Sequence, residues 1–441
     1  MKIKRFGVRA ALVPTALFLI ISPLARAEDA SSGGYVSRKE YEELRQQMLA
    51  LKQELDSIKK EKKIATKLAA APEQPPAPAA GPNKETVQPS TALDELTLGT
   101  TKFHIAGYAE GTFEDRNQSN STFSASFNPI FLWEMTPRLL FEGQLEFSLG
   151  EDGTEVELEY AQITYLLNDY VTLGAGEFLA PSNIFVERFQ AQWINKLPDR
   201  PLAVYDGILP EKMVGLEVRG GIPLGPVRAN YAVYVANGPK LITDDPTAAG
   251  MLEFDNFADN NDNKAVGGRL GLFVPALGIE AGYGAETAKP GDRGTPFAHV
   301  RSLLQTVDLN MTRGSDLLKG RIDFHAQYAW TRVDDAVYDP DGSLGFGPLS
   351  FRNRRDGGYA QIAYRPTKLE GDFLKNLEAI FRWDHLNHAP GGPGAIDENR
   401  WTFGLDYWLG PSTAIKAAYE WDKPHGQENT NAFLLETVMG F

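Results

Sequence analysis

The sequence predicts an all-β fold, a 16-stranded antiparallel transmembrane β-barrel preceded by a short α-helical coiled coil. Three observations predict it. From Lys102 onward, segments alternate with a period of two, and one face of each clear strand carries no charge. About 16 such segments can be marked, an even number as bacterial barrels require. Their connections alternate between tight turns and long polar loops, which is how the two rims of an outer-membrane barrel differ.

Composition is compatible with this reading. The 441 residues include no cysteine, carry a net charge of −14 and have a mean hydropathy of −0.30. Past the amino terminus no apolar run reaches the ~20 residues of a membrane helix. A barrel strand needs only ~10 residues with every second one apolar, so its average is moderately polar. The lack of cysteine suits an oxidising compartment and excludes disulfides and thiolate metal sites. An acidic chain is a poor partner for nucleic acid.

The elements follow in order. Residues 1–27 read as a signal peptide: Lys2, Lys4, Arg5 and Arg9 are the basic region, Ala10 to Ile21 the apolar stretch, and Ala25-Arg26-Ala27 the cleavage site. The expected route is export to the cell outer membrane. Residues 28–68 hold the coiled-coil segment. Ser37 and Glu40 form a capping box, and Tyr41, Leu44, Met48, Leu51, Leu55 and Ile58 are spaced alternately three and four. This a/d pattern leans away from a dimer, and a lone amphipathic helix is the plainer alternative. Residues 69–101 are an Ala/Pro-rich linker, with Pro72, Pro75, Pro76, Pro78, Pro82 and Pro89 favouring a semi-extended spacer.

The barrel is expected over residues 102–441, with strands starting near 102, 122, 138, 155, 170, 213, 226, 264, 277, 297, 318, 357, 375, 399, 412 and 431. Phe123, Phe127, Phe131 and Trp133 share one face. Phe324, Tyr328 and Trp330 oppose Arg321, Asp323, His325 and Gln327, and Trp401, Phe403 and Leu405 oppose Thr402 and Asp406. A basic residue facing lipid at mid-bilayer costs ~2–4 kcal/mol, so lipid imposes this partition. Thr136-Pro137, Asn168-Asp169, Pro223 to Pro226, Pro275-Ala276, Thr312 to Asp316, Pro366 to Asp372 and Gly410-Pro411 mark the short-turn rim. Asn237 to Asn263, Asp334 to Asp356 and Leu386 to Asn399 mark the long-loop rim. The last strand runs from Asn431 and ends on Phe441, on the short-turn, periplasmic side expected for the coiled coil as well.

The longest feature between strands, residues 179–212, is the candidate functional element. It follows the strand end Gly176-Glu177-Phe178-Leu179-Ala180-Pro181 and contains the run Trp193 to Asp199, and Tyr234-Val235-Ala236-Asn237-Gly238-Pro239 comes later. In these patches the chain resembles the phosphate-selective porin O/P-like family, over most of Phe103–Phe441. The resemblance implies a homotrimer whose third extracellular loop folds inward and narrows the pore. In phosphate-selective members, basic residues of that loop and an arginine ladder on the wall bind the anion. The matching positions are Arg188, Lys196 and Arg200, with Glu187 and Asp199, at the constriction. Arg219, Arg228, Arg269, Arg321, Arg382 and Lys416 alternate onto the pore wall. Acids share that face, among them Glu142, Glu217, Glu280, Asp323, Asp384, Asp406 and Glu420. Each cation therefore has two readings, contact with solute or pairing with a neighbouring acid.

Other motifs point nowhere sharper. Asp255 to Asn263 is rich in Asp and Asn but lacks the ordered spacing of a calcium loop. The six histidines show no metal-ligand spacing, and no Ser-His-acid arrangement or nucleotide loop can be proposed. The expectation is a non-enzymatic porin, a passive diffusion channel for small polar or anionic solutes with phosphate as the sharper case. No cofactor and no metal are expected. The expected partners are outer-membrane lipid, two further copies in a homotrimer, these solutes and peptidoglycan. The alternative is a structural anchor that tethers the envelope through its periplasmic coiled coil.

Overall fold

A computed structural model describes residues 101–441, apart from 118, 151, 152, 206, 207, 255, 256, 346 and 427. The predicted signal peptide, the coiled coil and the linker up to residue 100 lie outside the described residues. Sixteen strands close into one barrel. They are β1 (Lys102–Arg116), β2 (Thr122–Thr136), β3 (Leu139–Gly150), β4 (Gly153–Asn168), β5 (Val171–Leu179), β6 (Lys212–Leu224), β7 (Val227–Asn237) and β8 (Lys264–Val274). The second half comprises β9 (Ile279–Ala288), β10 (Ser302–Ser315), β11 (Gly320–Val333), β12 (Arg354–Arg365), β13 (Leu377–His388), β14 (Ile396–Trp408), β15 (Thr413–Pro424) and β16 (Asn431–Gly440). Every strand pairs antiparallel with its sequence neighbours, and β1 pairs with β16 to close the ring. Closure leaves no sheet edge, so the backbone groups of every barrel strand find partners within the wall.

The closing strand is held at its tip. Phe441 and Gly107 exchange two backbone hydrogen bonds, 2.9 Å and 3.2 Å, and the Phe441 ring stacks on Phe127 at 5.8 Å. Strand starts agree with the sequence expectation to within three residues except at the tenth. That strand begins at Ser302 rather than near 297. Residues before it make local turns instead, with Ala298 N–H donating to Thr295 and Val300 N–H to Phe297, while Phe297 stacks on Tyr338 at 5.5 Å. Likewise the turn expected at Thr312–Asp316 falls at 316–319, because β10 continues to Ser315. A short helix, Asp372–Lys375, occupies the turn before β13.

Alternation sorts the side chains as lipid requires. Phe123, Phe127, Leu216, Leu270, Phe403 and Leu435 project from the outer face and are exposed. Aromatic rings also pair across strands there, with Phe381 5.2 Å from Phe403 and 5.8 Å from Trp401. Phe403 lies near the middle of its strand. Phe403→Arg should cost about 2–4 kcal/mol, measured as a lowered urea midpoint for folding into lipid vesicles. An unchanged midpoint would mean that this face does not meet lipid.

On the long-loop rim, the connections after β7, β9, β11 and β13 pack on one another. Leu241, Leu252, Val300, Tyr338, Phe351 and Ala389 form a small apolar core there. Two short pairings stiffen it, the ladder Lys240–Leu241 with Leu252–Glu253 and the bridge Tyr338–Leu349.

Candidate functional site

Residues 180–211, between β5 and β6, turn into the barrel. The loop is pinned at its base, where Ala180 N–H donates to the Glu211 carbonyl (2.9 Å) and Asn183 Nδ2 donates to the Pro210 carbonyl (3.1 Å). Asn183 also caps helix α1 (Ile184–Phe189), its Oδ1 accepting from Val186 N–H at 3.3 Å. A second short helix, α2, spans Leu202–Tyr205.

Apolar residues of the loop dock onto apolar positions of the inner wall. Leu202, Ala203, Ile208 and Leu209 cluster with Leu304, Ala329 and Leu386. Leu197 is buried among Ala363, Ile380, Ala418 and Leu434, in room left by Gly404. Trp193 meets Tyr108 edge-on at 5.2 Å. Inward-pointing Leu and Ile are out of place in a polar lumen, and here they mark where the loop lands.

Polar contacts then fasten the loop around the ring. Gln190 donates to Glu159 on β4 (3.1 Å), and Gln327 on β11 donates to the Ser182 carbonyl (2.7 Å). Arg188 binds Glu280 on β9 at 2.9 Å and lies 3.4 Å from Glu187. Lys196 binds Glu378 on β13 at 2.9 Å, approaches Asp323 at 3.8 Å, and stands 5.3 Å from the Trp408 ring centre. Arg200 pairs with Glu211 at 2.9 Å. Asp199 receives Arg400 of β14 at 2.7 Å, while its carbonyl accepts from Arg382 at 2.8 Å. The predicted constriction residues are thus brought together on one inward loop, each engaged with a protein partner.

The predicted wall cations are placed as follows. Arg219 pairs with Glu187 and lies 3.6 Å from Glu217. Arg269 is buried between Asp308 (2.7 Å) and Glu280 (2.9 Å) and donates to Asn230 at 3.0 Å. Arg382 is fully buried, with Asp384 at 2.8 Å and the Arg200 carbonyl at 3.0 Å. Lys416, also fully buried, binds Glu436 at 3.0 Å and donates to the Gln192 carbonyl at 2.6 Å. Arg321 pairs with Asp323 at 3.0 Å but keeps half its side chain exposed. Arg228 is exposed and makes no ion pair among the described residues.

Sequence reasoning missed Arg400, which holds Asp199 and Asp422 together and lies 3.6 Å from Glu420. It also missed Arg116, placed against Glu420 (3.3 Å) and Asp422 (3.1 Å). The signal was present, because Arg400 shares its parity with Thr402 and Asp406. In the Asp/Asn-rich loop, Asp259 pairs with Lys264, and Asp262 with Arg293. His385 and His388 fall on opposite faces of β13, as residues three apart in a strand must.

Between the loop and the short-turn rim lies a cavity of about 300 Å³. Phe185, Phe189 and Trp193 supply aromatic walls, and Lys196, Arg321 and Asp323 supply charge. The wall of β1–β4 is acidic instead. Its inward positions carry Glu110, Glu114, Glu134, Glu142, Glu146 and Glu157, against two strand cations, Arg116 and Lys102, the latter paired with Glu134 at 3.0 Å. Lys212 reaches across from β6 to Glu157.

No family model matches the chain, and no curated protein matches it by sequence. Solved structures do resemble it. OmpF of Salmonella typhi in complex with daunomycin superposes with a TM-score of 0.51, at 12% identity over 79% of this chain and 99% of that one. The anion-selective porin from Comamonas acidovorans gives 0.50, at 9% identity over 77% of this chain and 100% of that one. At such identities the likeness is one of architecture, and on that measure this chain has the fold of a porin barrel.

Proposed function

We propose that the protein is an outer-membrane porin, a passive diffusion channel for small polar solutes, with no catalytic step and no energy coupling. The observation that carries this is loop 180–211, folded inside a closed barrel and fastened to walls as far apart as β4, β9, β13 and β15. A rigid loop across a lumen narrows the passage without closing the ring, which sets a size limit by geometry. Export through the predicted signal peptide and assembly as a homotrimer, as the family resemblance implies, belong to the same proposal. Native mass measurement of the detergent-solubilised protein tests the assembly.

The electrostatics favour a general channel over a phosphate-selective one. An anion ladder needs guanidinium and ammonium groups free to meet the ligand. Here Arg188, Lys196, Arg219, Arg269, Arg382 and Lys416 already hold carboxylates. With the acidic wall of β1–β4 opposite, the lumen field should admit cations ahead of anions. In planar bilayers the protein should form open channels, and asymmetric KCl should give a cation-selective reversal potential that weakens in Glu142→Gln/Glu146→Gln. Millimolar phosphate should leave the current unchanged. A barrel without conductance would sink the channel reading, and an anion-selective reversal or a phosphate block would sink its electrostatic part.

A further inference from the structure

Near the long-loop rim, the charge-free outer face of the barrel ends in a group of arginines. Arg332 on β11 and Arg354 on β12 are direct cross-strand partners, with Cβ atoms about 5 Å apart. Both are exposed, while their chain neighbours Thr331, Val333, Asn353 and Arg355 are buried, so the pair projects outward. Arg301, also exposed, extends the group. It stands two residues before Leu303, the partner of Arg332 on β10, and its carbonyl accepts from Asp334 N–H at 2.9 Å. That places it diagonally across from Arg332, within reach of a long side chain. None of the three guanidinium groups has an ion-pair or hydrogen-bond partner among the described residues.

The nearest acids of these strands are engaged elsewhere. Asp356 accepts from the Tyr328 hydroxyl and from Asn387 at 3.2 Å, and the Asp334 carboxylate accepts from Arg301 N–H at 3.2 Å. Elsewhere on this rim, Lys264 pairs with Asp259, and Lys423 stands 5.5 Å from the Trp421 ring centre. Directly below the arginines lie Trp330 and Tyr328, their rings 5.0 Å apart, with Leu303 and Val307 exposed on β10. Tryptophan and tyrosine on an outer face mark the membrane–water interface, so the guanidinium groups stand at headgroup height.

Like charges directly opposite one another in a sheet repel, and here no acid of the chain answers them. The height of the group and the apolar face beneath it point to a lipid. We propose that Arg332, Arg354 and Arg301 bind an anionic lipid of the outer leaflet through a phosphomonoester on its headgroup. Its acyl chains lie along Leu303, Val307 and Trp330. A phosphomonoester carries close to two negative charges at neutral pH. That suits two opposed guanidinium forks better than the single charge of a phosphodiester. Such a lipid offsets the repulsion and ties β10, β11 and β12 together where the long loops leave the wall. The inference rests on the outer-membrane reading of the barrel, and not on what the lumen conducts.

Native mass spectrometry of the full-length protein tests it, with dioleoyl phosphatidic acid as the phosphomonoester probe and dioleoyl phosphatidylcholine as its neutral counterpart. Phosphatidic acid should bind in preference. Its affinity should fall about fivefold in Arg332→Gln and roughly 25-fold in Arg332→Gln/Arg354→Gln, and stay unchanged in Lys264→Gln/Lys423→Gln. Millimolar inorganic phosphate should not displace it. In urea titrations from pure phosphatidylcholine vesicles, the double arginine variant should unfold no earlier than the wild type, since the repulsion is gone. Adding phosphatidic acid should then raise the wild-type midpoint relative to the variant, because the lipid binds the folded state. Failure to fold into either vesicle would overturn the membrane reading, and the proposal with it. Equal binding of the two lipids, indifference to the arginine pair or displacement by free phosphate would overturn the proposal alone.

Discussion

Replacing residues 183–210 by a short Gly/Ser link should raise single-channel conductance several-fold and admit larger solutes than the intact protein does. The loop fills the lumen with side chains such as Ile184, Phe185, Leu197 and Leu202, all nearly or fully buried. None of the sixteen-strand ladder depends on them, since β5 and β6 pair directly from Leu179–Lys212 to Thr172–Arg219. The barrel should therefore close without its loop, which migration of the unheated sample as a folded species would verify. Unchanged conductance in a folded, loop-deleted barrel would mean that the narrow point lies elsewhere, in the cap of the other loops.

Arg382→Met should be the most damaging single substitution in the lumen. Its guanidinium holds Asp384 at 2.8 Å and donates to two loop carbonyls, those of Asp199 and Arg200. Glu420 is a further 3.9 Å away. Removing one partner of a buried ion pair leaves a bare charge and costs about 3–5 kcal/mol. The loss should appear as a lowered urea midpoint, noisier single-channel current and new tryptic cuts after Arg188 and Lys196. Arg382→Met/Asp384→Leu should recover part of the stability, because no uncompensated carboxylate then remains. A loop that stays quiet and protected in Arg382→Met would show that apolar docking alone holds it.

The wall was legible because each strand solves the same local problem. Phe403 outward and Thr402 inward follow from parity alone, and Phe441 could be set at the end of a closing strand before any partner was known. The inward loop was legible by its length and position. Its energetics were not. Lys196 and Glu378 are 182 residues apart, and Asp199 and Arg400 are 201 apart. Parity can say that Arg382 and Lys416 face the lumen, but not that both are sealed under the loop. The tenth strand failed for a local reason, since Phe297 and Val300 look like strand residues yet serve the loop core with Tyr338.

By itself the sequence determined the number of strands, the side each residue faces, the rim each connection joins and the identity of the inward loop. Those follow from a period of two set against a solvent that rejects charge on one face. Only the tertiary structure decided which cations remain available to a solute and which, like Arg382, are sealed beneath the loop. Ring closure brings together strands that are hundreds of residues apart, and the pairing of charges depends on distances of a few ångströms that no local pattern encodes.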